Sequence, residues 1–145
     1  MPGVSTFEEL DAWKLTVELR DDIYRMTSAG GAARDFKFRD QVRDSSASAP
    51  RNISEGWGRF HPNENAPYVR WARASLVETQ NHLLHGQTEG YFTPQDFAAA
   101  WRLSSRAIGA TTRYLRYLES CHGEIPGQPP RKLKRAAGKK NPSEP

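Results

Sequence analysis

The stretch S-A-P-R-N-I-S-E-G-W-G-R-F, residues 48–60, decides how this chain is read. Its apolar spacing is helical, yet it carries Pro50 near its start and Gly56 and Gly58 near its end. A proline inside a helix removes one backbone N–H, here the donor for the Ser46 carbonyl, and its ring crowds the preceding turn, so a kink is expected. Asn52 and Glu55 then follow within one turn. Two readings stay open for them: they bind a ligand or a neighbouring subunit, or they satisfy backbone groups freed by Pro50 and by the helix end. One of the two glycines is expected to end the helix in the left-handed conformation.

Outward from this stretch, four helices can be read. Helix two, which contains it, runs from about residue 34 to 56. Phe38, Val42, Ser45, Ala49, Ile53 and Gly56 recur on one face at steps of three and four. These residues are mostly small, so a neighbouring helix can come close. Helix one spans about residues 6–28, with capping boxes offered by Ser5 with Glu8 and Thr6 with Glu9, and the Gly30-Gly31 pair as its stop. It has two apolar stripes, Leu10, Trp13, Val17 and Tyr24 on one and Ala12, Leu15, Leu19, Ile23 and Met26 on the other. Two stripes fit either a broad core face or a second partner surface.

Helix three begins between Asn63 and Pro67 and ends near Gly86, with Asn63 or Asn65 as cap and Pro67 in the first turn. Its inner face is read as Tyr68, Trp71, Ala72, Ser75, Leu76, Thr79 and Leu83. Helix four starts after a Thr93 cap with Pro94 at its first position, and runs to about residue 120. Phe97, Ala100, Trp101, Ser104, Ala107, Ile108, Thr111, Leu115 and Leu118 form its stripe. The linkers are short and no strand pattern competes, so the fold class is all-α: an antiparallel up-down-up-down four-helix bundle with a kinked second helix. The bundle domain occupies residues 1–121. Residues 122–145 hold half of the ten prolines, together with Gly, Lys and Arg, and are expected to form a disordered basic tail.

The chain has 145 residues, one cysteine, 37% apolar residues and a mean hydropathy of −0.79, which fits one soluble, cytoplasmic domain. No apolar run reaches the roughly 18 residues of a membrane span, so no membrane association is expected. The N-terminus lacks the features of a secretion signal. Of the net charge of +4, residues 129–145 supply +5, leaving the rest near neutral at −1.

Taken together, Ser48-Ala49-Pro50-Arg51-Asn52-Ile53-Ser54-Glu55-Gly56-Trp57-Gly58-Arg59, the helix-one segment F-E-E-L-D-A-W-K-L-T-V-E-L, the helix-three segment A-R-A-S-L-V-E and the turn G-Y-F-T-P-Q-D-F carry a resemblance. They are similar to the four-helix bundle family encoded within intervening sequences of bacterial 23S ribosomal RNA genes. The resemblance covers about residues 7–118, with Ala74 where the family has glycine. It implies a small bundle that assembles into a ring, commonly a pentamer, and a role connected with nucleic acid. It also implies that Pro50, Asn52, Glu55, Gly56, Gly58 and Arg59 form a family motif with a structural or interface role. A related subgroup is the accessory protein of diversity-generating retroelements, so a reverse transcriptase is the alternative partner. That subgroup is strongly basic over its body, and this chain is not.

Candidate nucleic-acid contacts follow from charge. Arg102, Arg106, Arg113 and Arg116 fall within an arc of roughly 80° on helix four, at about 100° per residue, opposite the Ile108 and Leu115 stripe. Asp96 is the only acid between Thr93 and Leu118. Such a row suits phosphates, or it is a solvated outer face. Arg131, Lys132, Lys134, Arg135, Lys139 and Lys140 give the tail its charge, for RNA or DNA binding by counterion release or for solubility. No metal, cofactor or enzyme activity is expected. Glu119-Ser-Cys-His122 matches a Glu-x-x-His metal motif only at a helix end, and Glu78, His82 and His85 find no matching ligands on a second helix. Cys121 and His122 are adjacent and diverge on a helix.

Overall fold

The structure is a computed structural model that describes residues 3–59 and 61–121. A short 3-10 turn at Phe7–Glu9 leads into α1 (Asp11–Met26), followed by α2 (Gly30–Arg34), α3 (Phe36–Trp57), α4 (Pro62–Thr88) and α5 (Pro94–Ser120). The four long helices pack in a cycle, α1 on α3, α3 on α4, α4 on α5 and α5 back on α1. Pairing distances give the register. Ser45 meets Thr79 and Ser48 meets Ser75, each at 2.9 Å, so partner numbers fall on α4 as they rise on α3. The expected tail, residues 122–145, lies outside the described residues.

The helix starts show where local chemistry wins. Thr93 accepts the Asp96 N–H at 3.1 Å and Pro94 occupies the first position of α5, as its sequence dictates. At the N-terminus neither expected capping box forms. Ser5 donates its backbone N–H to the Glu9 carboxylate at 2.8 Å, while Thr6 makes no side-chain cap, and the α-helix waits until Asp11. Gly30 does not stop helix one. Its φ of +68° opens α2, and the actual stop is a pair of hydroxyls, Thr27 and Ser28, which donate to the Ile23 and Tyr24 carbonyls. Asp35 then caps α3 by accepting the Phe38 N–H at 3.1 Å.

The start of α4 departs from expectation. Pro62 takes the first position, so Asn63 and Asn65 lie inside the helix and cap nothing, and Pro67 sits in its interior rather than in its first turn. Pro62 has the φ that a helix entry needs and no N–H to lose there, and it therefore outcompetes both asparagines.

Two clusters fill the interior. Leu19, Ile23, Phe38, Val42, Leu76, Leu83 and Ala107 belong to one, and Leu10, Ile53, Val69, Tyr114 and Leu118 to the other. Of the two stripes on helix one, Ala12, Leu19, Ile23 and Met26 enter the core. The inner face of α4 is shifted: Val69 is buried, whereas Trp71 is 54% exposed. Among the described residues, Trp71, Val77 and Leu84 on α4 are three of five large apolar side chains left outside.

An aromatic knot closes the end where α2 meets the α4–α5 turn. Phe38 packs on His85, Tyr91 and Phe92 with centroids 5.5, 5.1 and 5.9 Å away. The Tyr91 hydroxyl donates to the Asp35 carboxylate at 2.7 Å. That bond, followed by the Phe38 N–H, holds the Asp35 carboxyl below its ordinary range. A depressed carboxyl contributes stability above its unfolded pKa, about 3.9, and loses it as pH falls through the lower folded value. Tyr91→Phe should therefore be less stable than wild type at neutral pH, with the difference shrinking as the pH falls through the lowered Asp35 value. Urea melts at neutral and acid pH check this, and a difference that does not shrink in acid would contradict it.

Candidate functional site

The family-type motif builds the seam between α3 and α4. The helix continues through buried Pro50 to Trp57 without a break. Asn52 does not reach the Ser46 carbonyl that Pro50 leaves free. Its Nδ2 donates to the Ser48 carbonyl at 2.9 Å and the Ser48 hydroxyl at 3.0 Å, one turn back, where an asparagine on a helix can reach. Because Ser48 also bonds Ser75, Asn52 is tied through it to α4. Glu55 bonds no backbone group. It is half exposed and stands 3.9 Å from Arg59.

Gly56 is buried, and its missing side chain is what lets α4 close. A Cβ there would run into Asn65 Oδ1 and stand 2.8 Å from Tyr68 Cβ. Asn65 in turn donates to the Tyr114 hydroxyl at 2.8 Å, which links α4 to α5, and burial pushes the Tyr114 phenol up. Gly58 follows the helix with φ −66° and ψ −14°, so neither motif glycine is left-handed. The ending is made by backbone bonds instead, Gly58 N–H to Ser54 and Arg59 N–H to Gly56. Arg59 lies over the Tyr68 ring, 5.0 Å from its centroid, and donates to its hydroxyl. Tyr68 meets Trp71 edge-on at 4.9 Å. This Arg59–Tyr68–Trp71 array was not legible in the sequence, where both aromatics fit an inward face.

The arginines of α5 are exposed as expected, but they do not form an isolated row. Arg102 and Arg106 share a surface groove of about 540 Å³ with Glu18, Asp21, Asp22 and Arg25 of α1. Arg113 borders a second, with Glu9 and Asp11. The acids missing from α5 are supplied by α1 across the groove. Arg116 shares neither groove. At the groove's end Arg25 bridges Asp22 at 2.8 Å and Asp96 at 3.2 Å. Arg131, Lys132, Lys134, Arg135, Lys139 and Lys140 lie outside the described residues.

The α4 histidines each face a carboxylate one turn away, His82 at 3.5 Å from Glu78 and His85 at 3.7 Å from Glu89. Among the described residues no three His, Cys, Asp or Glu side chains converge as a metal would need, and no helix is long and apolar enough to cross a membrane. Cys121 donates its thiol to the Tyr117 carbonyl at 3.2 Å.

Fold and motif define a helical bundle of four long helices, closed by a glycine-dependent α3–α4 seam. Residues 8–109 match the family described as 23S rRNA-intervening sequence protein, and the chain belongs to that family. The fold is shared with a solved protein of unknown function from the S23 ribosomal protein family of Bacteroides thetaiotaomicron, 17% identical, with a TM-score of 0.56 over 75% of this chain and 95% of that one. No curated protein matches the chain.

Adding one methyl group at the seam tests its role. Gly56→Ala should lose about 1–3 kcal/mol, because α3 and α4 must part to admit it. Gly58→Ala, with helical φ and no side chain within 4 Å, should cost less. Equal denaturation midpoints for the two variants would show that the seam is not limited by Gly56.

Proposed function

We propose that the protein is a non-enzymatic homo-oligomeric scaffold, built as a ring of helical bundles, that associates with nucleic acid in the cytoplasm. One observation carries the oligomer. Val77 and Leu84 on α4 remain 46% and 47% exposed after the bundle has closed. Seven residues apart, they lie about 20° from one line along the helix, an apolar strip that a monomer does not need. The outer stripe of α1 supports it less. Leu10 is buried within the bundle, Trp13 packs on Phe7 at 5.4 Å, and Arg43 covers Tyr24 at 4.6 Å. A ring repeats one heterologous contact around an axis, and the pentamer is the closure implied by the resemblance.

Two features support the nucleic-acid role, the family's description and the +5 charge of residues 129–145. The α5 arginines contribute less, since α1 acids share the groove walls with three of them. Sedimentation at micromolar concentration should give several times the 16.4 kDa of one chain, and Val77→Asp with Leu84→Asp should reduce it to a monomer with unchanged helicity. A monomeric wild type would overturn the ring.

RNA binding should weaken with salt by a log–log slope of about −0.7 per phosphate contact. Deleting residues 129–145 should flatten that slope more than changing Arg102, Arg106, Arg113 and Arg116 to glutamine. If the full chain binds neither RNA nor DNA at low salt, yet retains a protein from nuclease-treated extract, the accessory role beside a reverse transcriptase replaces the scaffold.

A further inference from the structure

We propose that the outer seam of α3 and α4, centred on Trp71, is a stacking site for the bases of single-stranded RNA; this rests on the nucleic-acid reading above and gives it a contact surface. Trp71 is 54% exposed, although an indole is among the most apolar groups a surface can carry. It is also held in place. Tyr68 braces it edge-on at 4.9 Å, and Arg59 fixes Tyr68 from above through its ring and hydroxyl. An aromatic that is ordered before binding loses little freedom when a base stacks on it.

The surroundings suit a nucleotide rather than an apolar partner. The Arg59 side chain is 49% exposed and engages Glu55 only at 3.9 Å, which leaves guanidinium donors for a phosphate. Arg51 is exposed one turn before Glu55 on α3. Asn52 spends its Nδ2 on Ser48, while its Oδ1 is an acceptor available to a base amine. Ser75, at the end of that network, lies one turn beyond Trp71.

Geometry separates this site from the apolar strip assigned to a second copy. Trp71 stands about 120° around α4 from Val77, on the flank towards α3. It favours single strands, because bases in a duplex are already stacked and the deep major groove of A-form RNA does not admit a helix-borne indole.

The test is anisotropy with a labelled, mixed-sequence 12-nucleotide RNA, alone and as a duplex, on the full chain. Trp71→Ala should weaken single-strand binding roughly 5- to 150-fold, the range of one lost base stack, and Trp71→Phe should restore most of it. The salt slope should be unchanged, because stacking releases no counterions, whereas Arg59→Gln should flatten it. Circular dichroism and sedimented mass should match wild type. Equal affinity of wild type and Trp71→Ala would overturn the site and leave the scaffold reading standing. A fall in assembly mass on Trp71→Ala would assign the face to a second copy and overturn it. Loss of a bound protein from nuclease-treated extract, with RNA affinity intact, would assign it to a protein partner and overturn it. No RNA binding by wild type at low salt would overturn both readings.

Discussion

The close approach of α3 to α4 is the constraint on which the rest of the bundle depends. Small residues make it possible: Ser45, Ala49 and Gly56 are buried on the α3 side. The seam's hydroxyls are also paired across it, Ser45 to Thr79 and Ser48 to Ser75, and Ser45 and Thr79 each bond a carbonyl of their own helix as well. The cross-helix pairs fix the register as well as fill the space. From Gly56 the constraint passes through Asn65 to Tyr114 and hence to α5.

The same seam runs outward to the surface. Pro50, Asn52, Gly56 and Arg59 are successive stations on it, from buried packing to an exposed guanidinium. The motif therefore has two ends, one structural and one facing solvent. Arg102, Arg106 and Arg113 on α5, by contrast, share two grooves with acids of α1. Opposite charges on facing walls reduce the field that a phosphate would meet. In the account proposed here, long-range attraction falls to residues 129–145 and contact geometry to the outer seam.

What the sequence disclosed was what local chemistry determines. Thr93-Pro94 fixes one helix start by itself, and the 3.6-residue period of α3 names its buried face correctly. The misreadings arose where two local signals competed or where a neighbour decided. Pro62 and Pro67 both fit a helix entry, and only the folded structure shows that the helix tolerates the second inside it. Helix α4 is apolar on more than one side, so its period could not separate Trp71 from Val69. Asn52 and Glu55 were plausible partners for backbone freed by Pro50, but side-chain reach took one to Ser48 and left the other at the surface. The charge row on α5 was visible, and the acids across from it were not, because they belong to a helix about 80 residues earlier in the chain.

Photo-crosslinking tests the central claim, that the seam which closes the bundle also presents the nucleic-acid contact. Full-length protein would be irradiated on a single-stranded RNA carrying a photoreactive pyrimidine, and the adducts mapped by mass spectrometry. The account predicts adducts at Trp71 or Tyr68 that disappear when unlabelled single strand competes. Adducts confined to residues 122–145 or to the α5 arginines would contradict it.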